Sequence, residues 1–267
     1  MNHRTRRLTI GNQKGGVGKT ATVLGLASAL MKRKKQVLVV DMDPQANSTT
    51  GLGVEVPGDQ LTTYELMSAT SPGAARDAVM STPWDGVDLI PASVALSRIE
   101  SDGANDLIFR LDTAFEGLDL SDYAAMLIDC PPSLGKLLYS SLCASDGVAI
   151  VTQAERDSVN GVQAFIETVE NVQRRPNPKL TLDKIIINLR DNNNEHVFRE
   201  EELRTKFGNL VARTTIPDLV ARKNAHSANM PIHDYRGRGN IALQVAYDSL
   251  LDELIPSDEL QPIGAPA

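Results

Sequence analysis

The stretch GNQKGGVGKT, residues 11–20, joins a short apolar run to a longer segment with apolar residues at helical spacing. Its glycines allow the backbone to fold round an anion, and the N-terminus of the following helix adds a favourable dipole. At this spacing, Lys19 is expected to bridge the β- and γ-phosphates of a nucleotide, and the Thr20 hydroxyl to bind Mg²⁺. The stretch therefore predicts a phosphate-binding loop between a strand and a helix.

This loop departs from the pattern G-x-x-x-x-G-K-[ST], because Gln13 stands at the first glycine and Lys14 adds a lysine inside the loop. Turn chemistry does not account for a lysine there. The segment KGGVGKT, residues 14–20, resembles the deviant Walker A box of the ParA/MinD family of ATPases. The resemblance implies that Lys14 reaches across a dimer to the nucleotide of the other subunit. The implied ATP-binding residues of the loop are Lys14, Gly15, Gly16, Val17, Gly18, Lys19, Thr20 and Ala21.

Two further stretches place carboxylates at the ends of candidate strands, where open α/β sheets bind ligands. Asp129 follows an apolar run in the form of a Walker B site, which holds Mg²⁺ through its water shell. Asp43 is expected to orient the attacking water or contact the water shell of the metal, and Asp41 to brace the loop. VDMDPQANSTTGLG (40–53) resembles the switch I box of ParA partition proteins, and DCPPSLG (129–135) resembles their Walker B and switch II. The predicted catalytic residues are Lys14, Lys19 and Asp43.

Short apolar runs alternate with longer amphipathic stretches along the chain, which is typical of a doubly wound α/β sheet. We predict a P-loop NTPase of the deviant Walker A type, with a mostly parallel sheet covered by helices on both faces. One domain is expected over residues 1–267, with an irregular surface stretch at 68–85 and a frayed tail at 257–267. The candidate strands are 7–12, 36–41, 87–91, 123–129, 147–153, 184–189 and 211–216. The candidate helices are 18–33, 104–116, 136–144, 158–174, 195–207 and 240–254.

The composition excludes several classes of protein. Of the 267 residues, 42% are hydrophobic and 23% charged, which suits a globular protein with a sizeable core. The net charge of -7 means that nucleic-acid binding requires a local basic patch. Cys130 and Cys143 form no CxxC pair, which argues against an iron–sulfur or structural zinc site and favours reduced, packed thiols. No apolar run is long enough to span a membrane, so a cytoplasmic protein is expected.

The second half of the chain carries weaker signals. An aliphatic run ends at Asn188, and an Ile-Pro pair follows at 216–217. The resemblance implies that Asn188, Pro217 and Asp218 recognise adenine, although Asn188 as a simple turn former is the alternative. Arginines that relatives carry in this region are replaced here, so their DNA contacts do not transfer residue by residue. The candidate DNA-binding residues are instead Arg190, Arg213, Arg222, Lys223, Arg236 and Arg238.

The resemblance covers essentially the whole chain and implies an ATP-dependent partition protein associated with the nucleoid. In this hypothesis ATP and Mg²⁺ lie between the two subunits of a homodimer, and the dimer binds double-stranded DNA non-specifically. A ParB-like centromere-binding partner stimulates an otherwise weak ATPase. The alternative is a ParA-like scaffold that positions a cargo other than DNA, since its ATPase site would look the same. No membrane binding of the MinD type is expected, because the stretch 257–262 is acidic and interrupted by proline.

Overall fold

A computed structural model describes residues 5–256, in which seven strands form one sheet. In chain order these strands are β1 (Arg6–Gly11), β2 (Gln36–Asp41), β3 (Met80–Ser81), β4 (Val87–Ile90), β5 (Tyr123–Asp129), β6 (Gly147–Thr152) and β7 (Thr181–Ile187). Across the sheet the order is β3-β4-β2-β5-β1-β6-β7, and every neighbouring pair is parallel except β3 with β4. The predicted doubly wound, mostly parallel sheet is confirmed.

Ten α-helices lie in the described part of the chain. They are α1 (Lys19–Lys32), α2 (Asn47–Gly51), α3 (Thr63–Ser68), α4 (Ala75–Ala78), α5 (Arg110–Ala114), α6 (Lys136–Cys143), α7 (Ser158–Arg174), α8 (Asn194–Phe207), α9 (Val220–Ser227) and α10 (Asn240–Leu254). Three 3-10 turns cover Val94–Ser101, Leu107–Phe109 and Gly208–Leu210. Between residues 5 and 256, no helix combines the length and the apolar character needed to cross a membrane.

Helices cover both faces of the sheet, so successive side chains of a central strand point into two separate cores. Along β2, Leu38 and Val40 join the core that includes α6 and α7, whereas Val37 and Val39 join the core that includes α1 and α10. All four side chains are fully buried. Each contributes about 1.5–3 kcal/mol by burial. Because both faces need apolar cover, the strand sequence is aliphatic throughout rather than alternating.

The predicted strand at 211–216 is wrong. This stretch runs beside β7, and the backbone N–H groups of Ala212 and Ile216 donate to the carbonyls of Ile185 and Ile187, but it forms an isolated bridge at Val211 rather than a strand. The backbone N–H groups of Arg213 and Thr214 both donate to the carboxylate of Glu253 in α10, at 2.8 Å each. Because Glu253 takes two amides in the middle of the stretch, the hydrogen bonding to β7 is interrupted between Ala212 and Ile216.

The predicted helix over 104–116 is wrong in extent. The structure has a 3-10 turn at Leu107–Phe109, followed by the five-residue α5. Before that turn, the carboxylate of Asp102 accepts the backbone N–H of Ala104 at 2.9 Å. A local bond of this kind competes with helix formation, so the residues before the turn stay irregular.

Residues 68–85 are not uniformly irregular, since they contain α4 and β3. Ala75 and Ala78 are fully buried there, because their small side chains let α4 pack directly against the core. Helices α2, α3 and α9 were not predicted either. None of them exceeds eight residues, and a helix of that length is too short to show a clear apolar period in the sequence. The predicted frayed tail at 257–267 lies outside the described residues.

Candidate functional site

The sheet order brings the ends of three strands together. Strand β5 lies between β1 and β2, with Asp129 in register with Ile10 on one side and with Asp41 on the other. The phosphate-loop sequence follows β1 directly, and Asp43 follows β2. The loop and all three carboxylates predicted at strand ends therefore meet at one edge of the sheet, as the sequence predicts.

The loop from β1 to α1 is held by asparagines from two strand ends. Asn12 donates to the Val151 carbonyl at 2.6 Å and accepts the backbone N–H of Lys14 at 3.0 Å. Gly18 begins α1 with a φ of 90°, a left-handed conformation that favours glycine. A Cβ atom at Gly18 would lie 2.3 Å from the side-chain nitrogen of Asn188. The role of Asn12 was not predicted, because an asparagine before a glycine-rich turn looks like an ordinary turn former.

Lys19 and Thr20 point from the first turn of α1 towards the same region. The side chain of Lys19 is mostly buried, and its ammonium group donates to the carbonyl of Lys14 at 3.2 Å. Burial lowers the pKa of Lys19, while the carboxylates of Asp129 and Asp43 oppose that shift. The Thr20 hydroxyl donates to the carboxylate of Asp129 at 2.7 Å. This places a cation and a hydroxyl at the mouth of the loop, where the sequence predicts them.

Asp129 is fully buried, and its two carboxylate oxygens have different surroundings. Oδ2 accepts hydrogen bonds from Thr20 at 2.7 Å and from Ser48 at 2.8 Å. Oδ1 has no hydrogen-bond partner among the described residues. Burial raises the pKa of Asp129 above its usual range, and the two hydroxyl donors and Lys19 limit that rise.

The unpartnered oxygen of Asp129 fits a magnesium site of the predicted kind. A buried carboxylate oxygen without a donor is costly, and a water molecule of a metal shell would satisfy it. Among the described residues, no cluster of three or more His, Cys, Asp or Glu side chains could hold a metal alone. Mg²⁺ commonly keeps several waters and takes one or two protein ligands plus phosphate oxygens. Thr20 and Asp129 fit that arrangement.

The two acids after β2 have separate environments. Asp41 is fully buried; its Oδ2 accepts the backbone N–H and the hydroxyl of Thr49 at 2.8 Å each, and its Oδ1 accepts the backbone N–H of Asp43 at 3.1 Å. Burial and the nearby charge of Asp129 raise the pKa of Asp41. Asp43 accepts the backbone N–H of Gln45 at 2.9 Å and faces the pocket beside the phosphate loop. Asp41 therefore fixes the backbone between β2 and α2, and Asp43 is the acid that lines the pocket.

A cavity of about 520 Å³ adjoins the loop. Its polar wall is formed by Gly15, Gly16, Gly18, Lys19, Thr20, Ala21 and Asp43. Leu24, Trp84 and Ile232 lie on an apolar side, and Arg222 and Lys223 of α9 are at its border. Val17 does not line the cavity, because its side chain is fully buried in the core that includes α1.

Lys14 is the loop residue that points away from the cavity. Its side chain is about half exposed and pairs with Glu155, which follows β6. Within one chain it is therefore not directed at its own phosphate site. The contact with the nucleotide of a second subunit stays a prediction.

The three residues predicted to recognise adenine lie together beyond β7. Asn188 is fully buried; its amide nitrogen donates to the Gly18 carbonyl at 3.1 Å and to the Thr22 hydroxyl at 3.2 Å. Pro217 forms an isolated bridge with Arg190, and the backbone N–H of Asp218 donates to the Arg190 carbonyl at 3.2 Å. Asn188 therefore holds the end of the phosphate loop and the first turn of α1 through hydrogen bonds. Recognition of the base by the three residues stays a prediction.

The six predicted DNA-binding cations do not form one patch. Arg213 stands beside Glu253 at the end of α10, whereas Arg238 immediately precedes Gly239, the N-cap of that helix. The length of α10 separates them by roughly 20 Å. Arg190 is paired with Glu200 at 2.9 Å.

Apart from Arg190 and Arg213, the cations lie on two adjoining segments. Arg222 and Lys223 belong to α9, and Arg236 and Arg238 belong to the segment before α10. A hydrogen bond of 3.2 Å from Asn224 to the Tyr235 hydroxyl joins these segments. Arg236, Arg238 and Lys223 are exposed, whereas Arg222 lies 3.4 Å from Asp218.

The cysteines have no visible part in the site chemistry. Cys130 and Cys143 are both buried and form no disulfide with each other. Burial raises the pKa of each thiol to about 12. The prediction of reduced, packed thiols is confirmed, although Cys130 directly follows Asp129.

Known proteins resemble this chain over most of its length. A sequence-family model described as an AAA domain matches residues 5–182. The chromosome partitioning protein ParA of Caulobacter vibrioides is 35% identical over 233 residues, covering 85% of this chain and 86% of that protein. The chromosome-partitioning ATPase Soj of Thermus thermophilus is 37% identical over 227 residues, covering 84% and 86%.

Solved structures agree with this assignment. The cobyrinic acid a,c-diamide synthase from Mycobacterium smegmatis, with bound ADP and magnesium, has a TM-score of 0.78 to this chain. The two are 29% identical, and the match covers 98% of this chain and 100% of that one. Together with the lysine-bearing phosphate loop and the two acidic strand ends, these similarities show that the chain belongs to the ParA/MinD family of P-loop ATPases.

Proposed function

We propose that this protein binds ATP with Mg²⁺ and hydrolyses the ATP. The observation that carries the proposal is Asp129, which holds Thr20 through one oxygen and keeps the other unpartnered beside the loop and Lys19. Phosphoryl transfer to water needs positioning and charge neutralisation more than covalent chemistry from the protein. The described arrangement supplies groups suited to both tasks.

Each residue has a distinct task in this proposal. The N–H groups of the loop and the first turn of α1 hold the phosphates, and Lys19 neutralises charge on the β- and γ-phosphates. Bound Mg²⁺ supplies further neutralisation of the phosphate oxygens. Thr20 provides a hydroxyl ligand, Asp129 accepts a hydrogen bond from the metal's water shell, and Asp43 orients the attacking water.

We propose that hydrolysis is completed by a second copy of the chain. Lys14 lies on the loop, half exposed, and is held by Glu155 within its own chain. If Lys14 left Glu155 and contacted the phosphates bound by a facing subunit, it would place a second lysine, besides that subunit's own Lys19, beside the phosphoryl group that is transferred. A positive charge placed there stabilises the transition state more than the ground state.

The cellular role proposed is DNA partition. Two relatives that match most of this chain are named as chromosome-partitioning proteins. The exposed cations of α9 and of the segment before α10 support non-specific contact with DNA phosphates, which a dimer would double. A ParB-like partner would stimulate hydrolysis and release the protein from DNA. Positioning of another cargo is the alternative.

Binding to random-sequence duplex DNA tests this role. Asp43→Ala protein, which is expected to bind ATP without hydrolysing it, is compared in ATP-Mg²⁺ and ADP-Mg²⁺ from about 50 mM to about 200 mM salt. Binding is expected only with ATP, and it should weaken steeply as salt rises. Arg238→Glu, at an exposed cation that does not line the cavity, should weaken the ATP-dependent DNA binding. The control Lys179→Glu should not, because Lys179 precedes the N-terminal end of β7, whereas the phosphate loop lies at the C-terminal ends of the parallel strands. No binding in either nucleotide, with ATP-dependent dimers still present, would favour a scaffold for another cargo.

Phosphate release without a second substrate separates an ATPase from a ligase, the activity named for the Mycobacterium smegmatis structure. An amide-forming ligase needs an acid and an amine before it consumes ATP at its full rate. We expect turnover with water alone. Turnover that appears only when a carboxylic acid and ammonia are added would contradict hydrolysis as the function.

A further inference from the structure

Ser48 is a fully buried hydroxyl with no predicted role. It lies in the first turn of α2, within the switch I segment, and donates to Oδ2 of Asp129 at 2.8 Å. Thr20 donates to the same oxygen at 2.7 Å. One carboxylate oxygen therefore receives a hydroxyl from the phosphate-loop helix and another from switch I.

The neighbouring residue, Thr49, already anchors α2 to the sheet. Its backbone N–H and its hydroxyl both donate to Asp41, and its hydroxyl oxygen accepts the backbone N–H of Ala92 at 3.1 Å. Asp41 of β2 lies beside Asp129 of β5, so two consecutive residues of α2 reach two acids: Ser48 donates to Asp129 and Thr49 donates to Asp41. The bond from Ser48 is thus additional to the contacts that fix the helix.

The effect of two donors on one oxygen is to fix the rotation of the carboxylate. With one oxygen held by both Ser48 and Thr20, the other oxygen, which has no partner among the described residues, points in one fixed direction. If Ser48 were absent, Thr20 alone could bond to either oxygen, and the carboxylate could turn. Groups that orient a metal-binding residue in this way raise metal affinity without touching the metal.

We propose that Ser48 is a positioning residue for magnesium, holding Asp129 so that Oδ1 faces the water shell of the ion. The proposal rests on the proposed ATP–Mg²⁺ site. It also gives switch I a direct link to the metal, since any movement of α2 removes a donor from Asp129. Binding of the nucleotide itself, through the loop and Lys19, does not require this bond.

The test is the magnesium dependence of ADP binding by Ser48→Ala, measured with a fluorescent ADP analogue. In EDTA the variant should bind the analogue as wild type does, within about twofold. In wild type, Mg²⁺ is expected to increase the affinity for the analogue. The Mg²⁺ concentration that gives half of this increase should be about tenfold higher in the variant, which is the usual effect of removing a group that orients a metal-binding residue. Thr50→Ala is the matched control, because the Thr50 hydroxyl is exposed and, within residues 5–256, bonds only to carbonyls of Ala46 and Asn47.

Three results separate the possibilities. An unchanged Mg²⁺ dependence in Ser48→Ala would overturn the positioning role and leave the proposed function intact. If Ser48→Ala bound the analogue more weakly by the same factor in EDTA and in Mg²⁺, and its melting temperature were lowered, the positioning role would also be overturned, because Ser48 would then only support the fold. Absence of any Mg²⁺-dependent binding in wild type would overturn the proposed function itself.

Discussion

Replacement of Asn188 by alanine tests whether the phosphate loop is supported from the end of β7. The Asn188 side chain is fully buried and makes three hydrogen bonds, to Gly18, Thr22 and the backbone N–H of Leu189. Alanine removes all three. The Gly18 carbonyl keeps two donors, because the backbone N–H and the hydroxyl of Thr22 both lie 2.9 Å from it.

The group that loses its acceptor is the N–H of Leu189, whose φ is 54°. An unpaired backbone amide costs about 1–3 kcal/mol, and each of the other bonds contributes about 1 kcal/mol or less where alternatives remain. We expect a loss of about 2 kcal/mol in the free energy of unfolding. For a chain of this size, that lowers the melting temperature by about 4–8 °C.

The assay combines thermal unfolding with binding of ADP and of pyrophosphate, which has no base. Because Asn188 bonds to Gly18 in the loop, Asn188→Ala should weaken both ligands by a similar factor, about three- to tenfold. Asn192→Ala, an exposed asparagine in the following loop, is the control and should change neither stability nor binding. A normal melting temperature would refute the support argument. A loss confined to ADP would instead show that Asn188 recognises adenine.

Three further expectations concern other residues. Lys19→Ala should lose nucleotide binding and hydrolysis, because it removes the buried cation of the loop; normal ATP turnover would contradict its role. Lys14→Ala should bind ATP but form no stable dimer by light scattering, and an intact ATP-dependent dimer would exclude the contact between subunits. Burial lowers the pKa of His233 below 6.5, so the unfolded chain takes up its proton first as pH falls. The neutral His233 therefore contributes stability that is lost as pH falls from about 7 to 5, whereas the raised pKa values of Asp41 and Asp129 act in the opposite direction over the same range. The difference in free energy of unfolding between wild type and His233→Gln should therefore shift against wild type as pH falls from 7 to 5, and a difference that does not change with pH would exclude His233.

Local patterns predicted much of the sheet and the main groups of the site. Strands β2 and β5, and helices α7 and α10, have the predicted bounds, because the strands are continuous apolar runs and the helices are long segments with apolar residues at helical spacing. The positions of Lys19, Thr20 and Asp129 at a common edge also agree with the sequence prediction. These features depend on residues close together in the chain and on a general rule for parallel sheets.

The groups that complete the site depend on distant contacts, which no local pattern contains. Ser48 could equally have been an exposed serine in a polar turn, and only its bond to Asp129, 81 residues away, gives it a role. Asn12 is fixed by Val151, 139 residues away. The mistaken strand at 211–216 has the same cause, since Glu253 takes its amides from 39 and 40 residues further along.

The sheet order itself explains why the site exists. Thr20 and Asp129 are separated by 109 residues, yet they hydrogen-bond because β5 inserts between β1 and β2. If β5 lay beside β4 at the sheet edge, Asp129 would lose both the phosphate loop and Asp41 as neighbours, since adjacent strands are about 4.8 Å apart. The insertion also places two buried carboxylates side by side, and burial together with the charge of Asp129 raises the pKa of Asp41. The hydroxyls of Ser48 and Thr49 offset that cost, so the segment that follows β2 is tied to the same strand that carries Asp129, the acid proposed to face the metal.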